Sequence, residues 1–234
     1  MVPNTSSKTY TYAEYLNCDL DIEQPHELVA GKIVIMPSES PLNMKIALQL
    51  IVEIAEIIGI ERISNKTEII VTGSKVTARV PDITVFSEAG VAEINLKTRS
   101  TIDIDMLPPI LVVEVVSPGK ANRDRDYRFK RSEYAARGIK YYWIVDPQEQ
   151  NLTCLKLIDG LYEDINGNRE DKIITFNEPF ALKIDLEDLF GISDSFSSLQ
   201  NIASRPPYRE ESKTIEQMNA AVDEEIRRNW KEEP

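Results

Sequence analysis

"LVVEVVSP", residues 111–118, is the stretch on which the fold turns. Five of its first six residues are apolar and four of those are Val. A continuous β-branched run of this kind reads as a strand buried on both faces, as in a sheet covered by helices. DRDYRFKRSEYAARG, residues 124–138, follows it and reads as a helix of about four turns ended by Gly138. YYWIVD, residues 141–146, is the next strand. Strand, helix and strand in that order make a βαβ unit with parallel strands and a right-handed crossover. The expected fold class is therefore α/β.

Working outward, TYAEYL at 11–16 predicts a short helix, and HELVAGKIVIMP at 26–37 a hairpin turning on Ala30-Gly31. SPLNMKIALQLIVEIAEIIGI at 40–60 carries the strongest helical pattern. Ser40 caps it, Pro41 suits its first turn, and Ile46, Leu50, Ile54 and Ile57 recur at helical spacing. RISNKTEIIVTG and KVTARVPDITVF supply two or three strands, and residues 87–108 read as a polar connection. NLTCLKLIDGLYEDI predicts a second hairpin on Asp159-Gly160, and FALKIDLEDLFG closes the domain near residue 191. The expected division is a main domain over 1–203 and a charged linker with an amphipathic helix over 204–234. Ile215, Met218, Val222 and Ile226 form that helix's apolar stripe, which suggests a homodimer.

Glu114 sits in the middle of the apolar strand, where an ionised carboxylate costs several kcal/mol unless something pairs with it. Side chains alternate along a strand, so Glu114 shares a face with Val112 and Val116. In VPD, residues 80–82, Asp82 stands early on a preceding strand. If the two strands are neighbours, the carboxylates converge, and their repulsion is relieved by a proton or a cation. A hard ion such as Mg²⁺ (or Mn²⁺) suits one or two carboxylates, leaving positions for water and a substrate phosphate. Asp126, Lys130 and Tyr134 are spaced four apart and share one helix face. Lys130 could contact an attacking water or a phosphate oxygen.

Composition narrows the chemistry. The chain has one histidine, His26, so a His-rich metal site is excluded and a nucleophilic triad would have to run through that residue. Two distant cysteines, Cys18 and Cys154, make neither a disulfide framework nor a zinc pattern, and a cytoplasmic location is expected. No apolar run approaches the ~20 residues of a membrane helix, so no membrane partner is expected. The net charge of −12 counts against an extended nucleic-acid surface. Yet KANRDRDYRFKR, residues 120–131, holds six basic and two acidic residues beside the proposed site. Lys120, Arg123 and Arg125 are its candidates for phosphate contact.

A Pro-Asp pair, a Glu in an apolar strand and a nearby Lys together resemble the PD-(D/E)XK nuclease superfamily. More closely, HELVAGKI, SPLNMKI, RVPDITVF, PPILVVEVVSP and DYRFKRSEYAARGIKYYWIVD resemble the Uma-type restriction-endonuclease-like family over roughly residues 10–191. The resemblance implies a restriction-endonuclease-like mixed β-sheet flanked by helices, and a divalent-metal-dependent endonuclease acting on DNA. It implies Asp82 and Glu114 as metal ligands and Lys130 as the catalytic lysine, supplied from the helix. Val116 occupies the usual lysine place, two residues after the Glu. Glu27 matches the family's early acidic position, Asp126 and Tyr134 support the lysine helix, and Ser117 ends the central strand beside the site. Asn43 stands where relatives often carry His.

Ordinary alternatives exist for each residue. Asp82 after a Pro can be a turn residue, and Glu114 can sit in a structural ion pair. Asp126 and Lys130 can form a surface i,i+4 pair of ~0.3–0.5 kcal/mol, Tyr134 can simply pack, and Glu27 can be an exposed strand residue. A catalytically silent binding or assembly module on the same fold is the competing function.

Overall fold

A computed structural model describes residues 8–17, 24–72, 75–165 and 171–191. Cys18, the expected 203/204 boundary and the expected helix with its dimerisation stripe lie outside the described residues.

Helix α1 (Tyr12–Leu16) opens on a capping box in which Thr11 and Glu14 satisfy each other's backbone N–H groups. Strands β1 (His26–Val29) and β2 (Lys32–Ile35) form the expected hairpin. Ala30 and Gly31 at its turn both take positive φ, 50° and 79°, matching the twist of a two-residue hairpin. Helix α2 (Pro41–Ile58) starts where Ser40 accepts the Asn43 N–H and ends at Gly59, φ 87°. Ile46, Leu50 and Ile54 are fully buried, each contributing about 2–3 kcal/mol. Ile57, expected on the same stripe, is 43 % exposed, and Ile58 packs against the core in its place, continuing the four-residue spacing of Ile46, Leu50 and Ile54.

The stretch from 62 to 86 yields four strands: β3 (Ile63–Ser64), β4 (Glu68–Thr72), β5 (Thr77–Arg79) and β6 (Ile83–Val85). KVTARVPDITVF is thus two strands and not one. Pro81 lacks the N–H a ladder needs, and the chain leaves one sheet for another at Val80-Pro81-Asp82. The polar connection at 87–108 also contains structure, helix α3 (Glu88–Ile94) and strand β7 (Thr101–Ile102). β7 pairs in parallel with β4, and the buried Glu68 of β4 accepts from Thr101 Oγ1 at 3.0 Å. The other pair, Ile69 with Ile102, is buried in the core, but two residues are too few for a hydrophobic pattern to announce a strand.

Strand β8 (Leu111–Val115) is followed by a helix with three parts: α4 (Lys120–Asp124), a π-helical stretch (Arg125–Lys130) and α5 (Arg131–Arg137). It begins four residues earlier than the sequence pattern indicated and ends, as expected, on Gly138 in the left-handed region, φ 80°. Strands β9 (Tyr141–Asp146), β10 (Asn151–Ile158) and β11 (Leu161–Asp164) follow, then β12 (Ile173–Phe176), β13 (Leu182–Asp185) and α6 (Leu186–Leu189). One sheet runs β2-β1-β5-β4-β7 and the other β11-β10-β9-β8-β6-β3, with β12-β13 a separate pair.

β8 lies inside the second sheet, antiparallel to β6 and parallel to β9, which realises the βαβ unit. Both its faces are covered. Val113 and Val115 join Trp143 and Val145 under Ile46, Leu50 and Ile54 of α2. Val112 and Val116 join Tyr142, Ile144 and Tyr134 of α5. Glu114 alternates onto that second face, so a carboxylate enters the layer between the sheet and the π/α5 helix.

Candidate active site

The register of β6 against β8 pairs Ile83 with Val113, and one step further along it Asp82 stands opposite Glu114. Asp82 is half-buried, and its Oδ2 accepts the Val115 N–H at 2.6 Å. Its Oδ1 has no hydrogen-bond partner among the described residues. The break at Pro81 releases the backbone from the ladder and lets the side chain cap the strand next door. Asp82 is therefore more than a turn residue: it fixes the end of β8 beside Glu114.

Glu114 is 3 % exposed and fully engaged. Oε1 accepts the Tyr134 hydroxyl at 2.6 Å, and Oε2 meets Lys130 Nζ at 2.8 Å. Lys130, itself 2 % exposed, also faces Glu27 Oε1 at 3.3 Å and Asp126 Oδ1 at 3.7 Å. The expectation of a surface Asp126–Lys130 pair fails, because both residues are buried. The reading of Glu27 as an exposed strand residue fails for the same reason. Glu27 Oε2 takes Arg79 Nη1 at 2.7 Å, and Arg79 grips Glu133 with Nε and Nη2 at 2.7 and 2.9 Å. A chain of charge thus runs Glu133–Arg79–Glu27–Lys130–Glu114 and ties the hairpin sheet to the helix and the central strand.

The π-helical stretch carries both Asp126 and Lys130 inward, and its Asp126 carbonyl accepts the Tyr142 hydroxyl at 2.9 Å. Wider turns of this type recur at functional sites. Tyr134 packs edge-on against Tyr142, with centroids 5.1 Å apart. On the other side, Asn43 of α2 is buried, and its amide lies 3.4 Å from the carbonyls of Val115 and Val116. Asn43 also donates to Glu39 at 3.1 Å, and Ser117 Oγ lies 3.4 Å from the same carboxylate.

Burial drives the electrostatics. Desolvation lifts the Asp82 carboxyl to about 6, helped by the charges of Glu39 and Asp126 and opposed by the Val115 N–H and Lys130. Desolvation also raises Glu114 above the ordinary carboxylate range; Lys130 opposes this, while Asp82, Asp126 and Glu27 add to it. Glu27 goes the other way. Burial would raise it, but Lys130 and Arg79 together hold it at about 2. For Lys130, burial favours the neutral amine, yet Glu114, Glu27 and Asp126 outweigh it and keep the ammonium charged.

Asp82, Glu114, Lys130, Glu27, Glu39, Asn43 and Arg125 line one cavity of about 870 Å³. Arg125 is tied to Asp126 at 3.0 Å. Arg123 turns away to Asp146 at 2.5 Å, and Lys120 is exposed; neither lines the cavity. Of the basic run, only Arg125 and Lys130 reach the site. Sequence reasoning missed Arg79, Glu133 and Glu39. Arg79 carried a signal of the same kind as Glu114, a charge inside a strand.

Asp82 and Glu114 are oxygen donors of the kind a hard divalent ion takes. Asp82 has a spare oxygen, and Glu114 shares its charge with Lys130. Among the described residues no group of three His, Cys, Asp or Glu side chains is arranged to hold a metal. Two carboxylates with water and phosphate completing the shell suit Mg²⁺ or Mn²⁺, whereas a closed protein cage is absent among those residues.

A mixed sheet whose central strand carries a buried Glu opposite a Pro-Asp, with helices on both faces, is the restriction-endonuclease-like arrangement. The family Uma2, described as "Putative restriction endonuclease", matches residues 12–187, and the chain belongs to it. A solved structure, "a putative nuclease belonging to DUF820 from Anabaena variabilis ATCC 29413", is similar with a TM-score of 0.58 at 21 % identity. The match covers 78 % of this chain and 98 % of that one, and bears on the fold. No curated protein matches the chain. No helix among the described residues is long and apolar enough to cross a membrane.

Proposed function

We propose that this chain is a divalent-metal-dependent endonuclease that hydrolyses DNA phosphodiester bonds at the Asp82–Glu114 site. The observation that carries the reading is a juxtaposition: Asp82, one residue beyond the β6–β8 ladder, holds the Val115 N–H at 2.6 Å beside Glu114, and the buried Lys130 ammonium is 2.8 Å from Glu114. Asp82 and Glu114 would hold Mg²⁺ or Mn²⁺, which when bound lowers the pKa of a water and offsets charge building on the phosphate. Lys130 stays protonated and supplies a fixed positive charge where the phosphate gains negative charge. Glu27 and Asp126 aim that ammonium, and the Tyr134 hydroxyl satisfies the second oxygen of Glu114 in the metal-free site. Asn43 and Ser117 hold the end of β8 and the Glu39 side chain. Arg125 is the group of the basic run placed to contact a phosphate, since it lines the cavity and Lys120 and Arg123 do not.

The test is cleavage of plasmid and of oligonucleotides with Mg²⁺ or Mn²⁺ and with chelator. Asp82→Asn, Glu114→Gln and Lys130→Met should each lose about 100-fold or more in rate. Fully active variants at all three positions would refute the assignment.

One observation favours a second reading, a silent binding or assembly module. Both oxygens of Glu114 already have partners in Tyr134 and Lys130, so the site is electrostatically satisfied by the chain's own groups. A chain that binds nucleic acid but never cuts it, with any metal, would favour that reading.

A further inference from the structure

The cavity that holds the carboxylates has a second, chemically different wall. Met44, Ala47, Leu48 and Ile51 of α2, with Met36 from the segment before it, line the same space as Asp82 and Glu114. Met44 and Leu48 are 55 % and 57 % exposed and stand one helical turn apart. The core does not need them, since Ile46, Leu50 and Ile54 already bury the opposite side of α2. Large apolar side chains left open on the rim of a charged cleft mark a place where something apolar docks.

The cavity's cations are mostly spent internally. Lys130 faces Glu114, Arg125 faces Asp126, and Arg99 faces Glu68 at 3.1 Å. Lys66 is the one cation of the cavity's lining with no ion pair among the described residues. The whole chain carries −12. Binding a long duplex depends on many lysines and arginines displacing counterions from a densely charged rod, and this site offers few of them. Its volume of about 870 Å³ suits a nucleotide or two.

We propose that the site takes single-stranded or unstacked nucleic acid, with one base against Met44, Leu48 and Ile51 while its phosphodiester reaches Asp82 and Glu114. This rests on the nuclease reading above and names its substrate class. Apolar contact with a base face is available only once the strand is unstacked, and it is tolerant of sequence because every base has such a face. Thioethers at Met36 and Met44 are polarisable and adaptable, so weak base preference is expected.

Fluorescence polarisation of the full chain in Ca²⁺ tests this, with a labelled single strand of about 15 nucleotides, its duplex, and an abasic strand of equal charge. The single strand should bind about ten-fold or more tighter than either of the others. Met44→Ser with Leu48→Ser, neutral changes on the exposed face, should remove that advantage and leave duplex affinity and circular dichroism unchanged. Duplex bound as tightly as single strand, or a double variant that keeps the preference, overturns this inference and leaves the nuclease reading standing. No binding of any nucleic acid overturns both.

Discussion

Lys130 Nζ lies 2.8 Å from Glu114 Oε2, and both side chains are almost wholly shielded from solvent. Neither charge is tolerable alone in that layer. A buried pair contributes little against an apolar replacement of both partners, but losing one partner is costly. Lys130→Met leaves Glu114, Glu27 and Asp126 facing one another without their cation. The variant should lose about 3–5 kcal/mol of stability at pH 8 in urea unfolding. The loss should shrink toward pH 6, where Glu114, raised by burial, can take up a proton.

Tyr134→Phe isolates a single hydrogen bond. The ring keeps its edge-on contact with Tyr142, while the 2.6 Å bond to Glu114 goes. A hydrogen bond to a charged group is worth about 1.5–3 kcal/mol, so thermal unfolding should show a loss in that range. Mn²⁺ affinity should not weaken, because the change frees a Glu114 oxygen. A variant that folds normally but fails to bind metal would place Tyr134 in the ligand geometry instead.

Arg79 offers a test of the charge chain. It spans Glu27 and Glu133, with side chains from different elements on either side of it. Arg79→Met leaves Glu27 buried with Lys130 as its remaining cation and the Val80 N–H as its remaining backbone donor. A destabilisation of about 3 kcal/mol or more is expected, against less than about 1 kcal/mol for an exposed pair. Denaturant midpoints of this variant beside Lys172→Met, whose pair with Glu187 is at the surface, would measure the contrast.

Asp82 gives the pH dependence. Its carboxyl sits at about 6 in the fold and 3.8 in the reference state. As pH rises, the unfolded chain releases that proton first. The contribution of Asp82 therefore favours the metal-free fold below about pH 4 and is lost as pH climbs through 6. In chelator, Asp82→Asn should gain stability relative to the natural chain between pH 5 and 7. Metal and proton compete for the same oxygens, so Mn²⁺ binding at pH 6 should release protons, seen as a buffer-dependent binding enthalpy.

Much of this site could be read before the fold was known. The β-branched run around Glu114, the four-residue spacing of Asp126, Lys130 and Tyr134, and Gly138 at the helix end all follow from local chemistry. That Glu114 needs a partner was implied by the cost of an isolated charge in an apolar strand; that Lys130 supplies it was not. Other features are non-local. Pro81 signals a broken ladder but not that the next strand enters a different sheet. The π-helical turn at Arg125–Lys130 has no compositional mark. Arg123 resembles a phosphate ligand in sequence, yet Asp146, 23 residues later, claims it. β7 escaped notice because it is two residues long, too short to carry a strand pattern, and its partner β4 lies far away in sequence.

The central claim is that Asp82 and Glu114 together hold a divalent ion. Calorimetric titration of Mn²⁺ into the natural chain, Asp82→Asn and Glu114→Gln tests it without any assumption about substrate. One binding event in the natural chain, abolished or weakened at least about 10-fold in each variant, is the predicted result. Equal binding in all three proteins, or none in the natural chain, would contradict it and leave Glu114 as the anchor of a structural ion pair with Lys130.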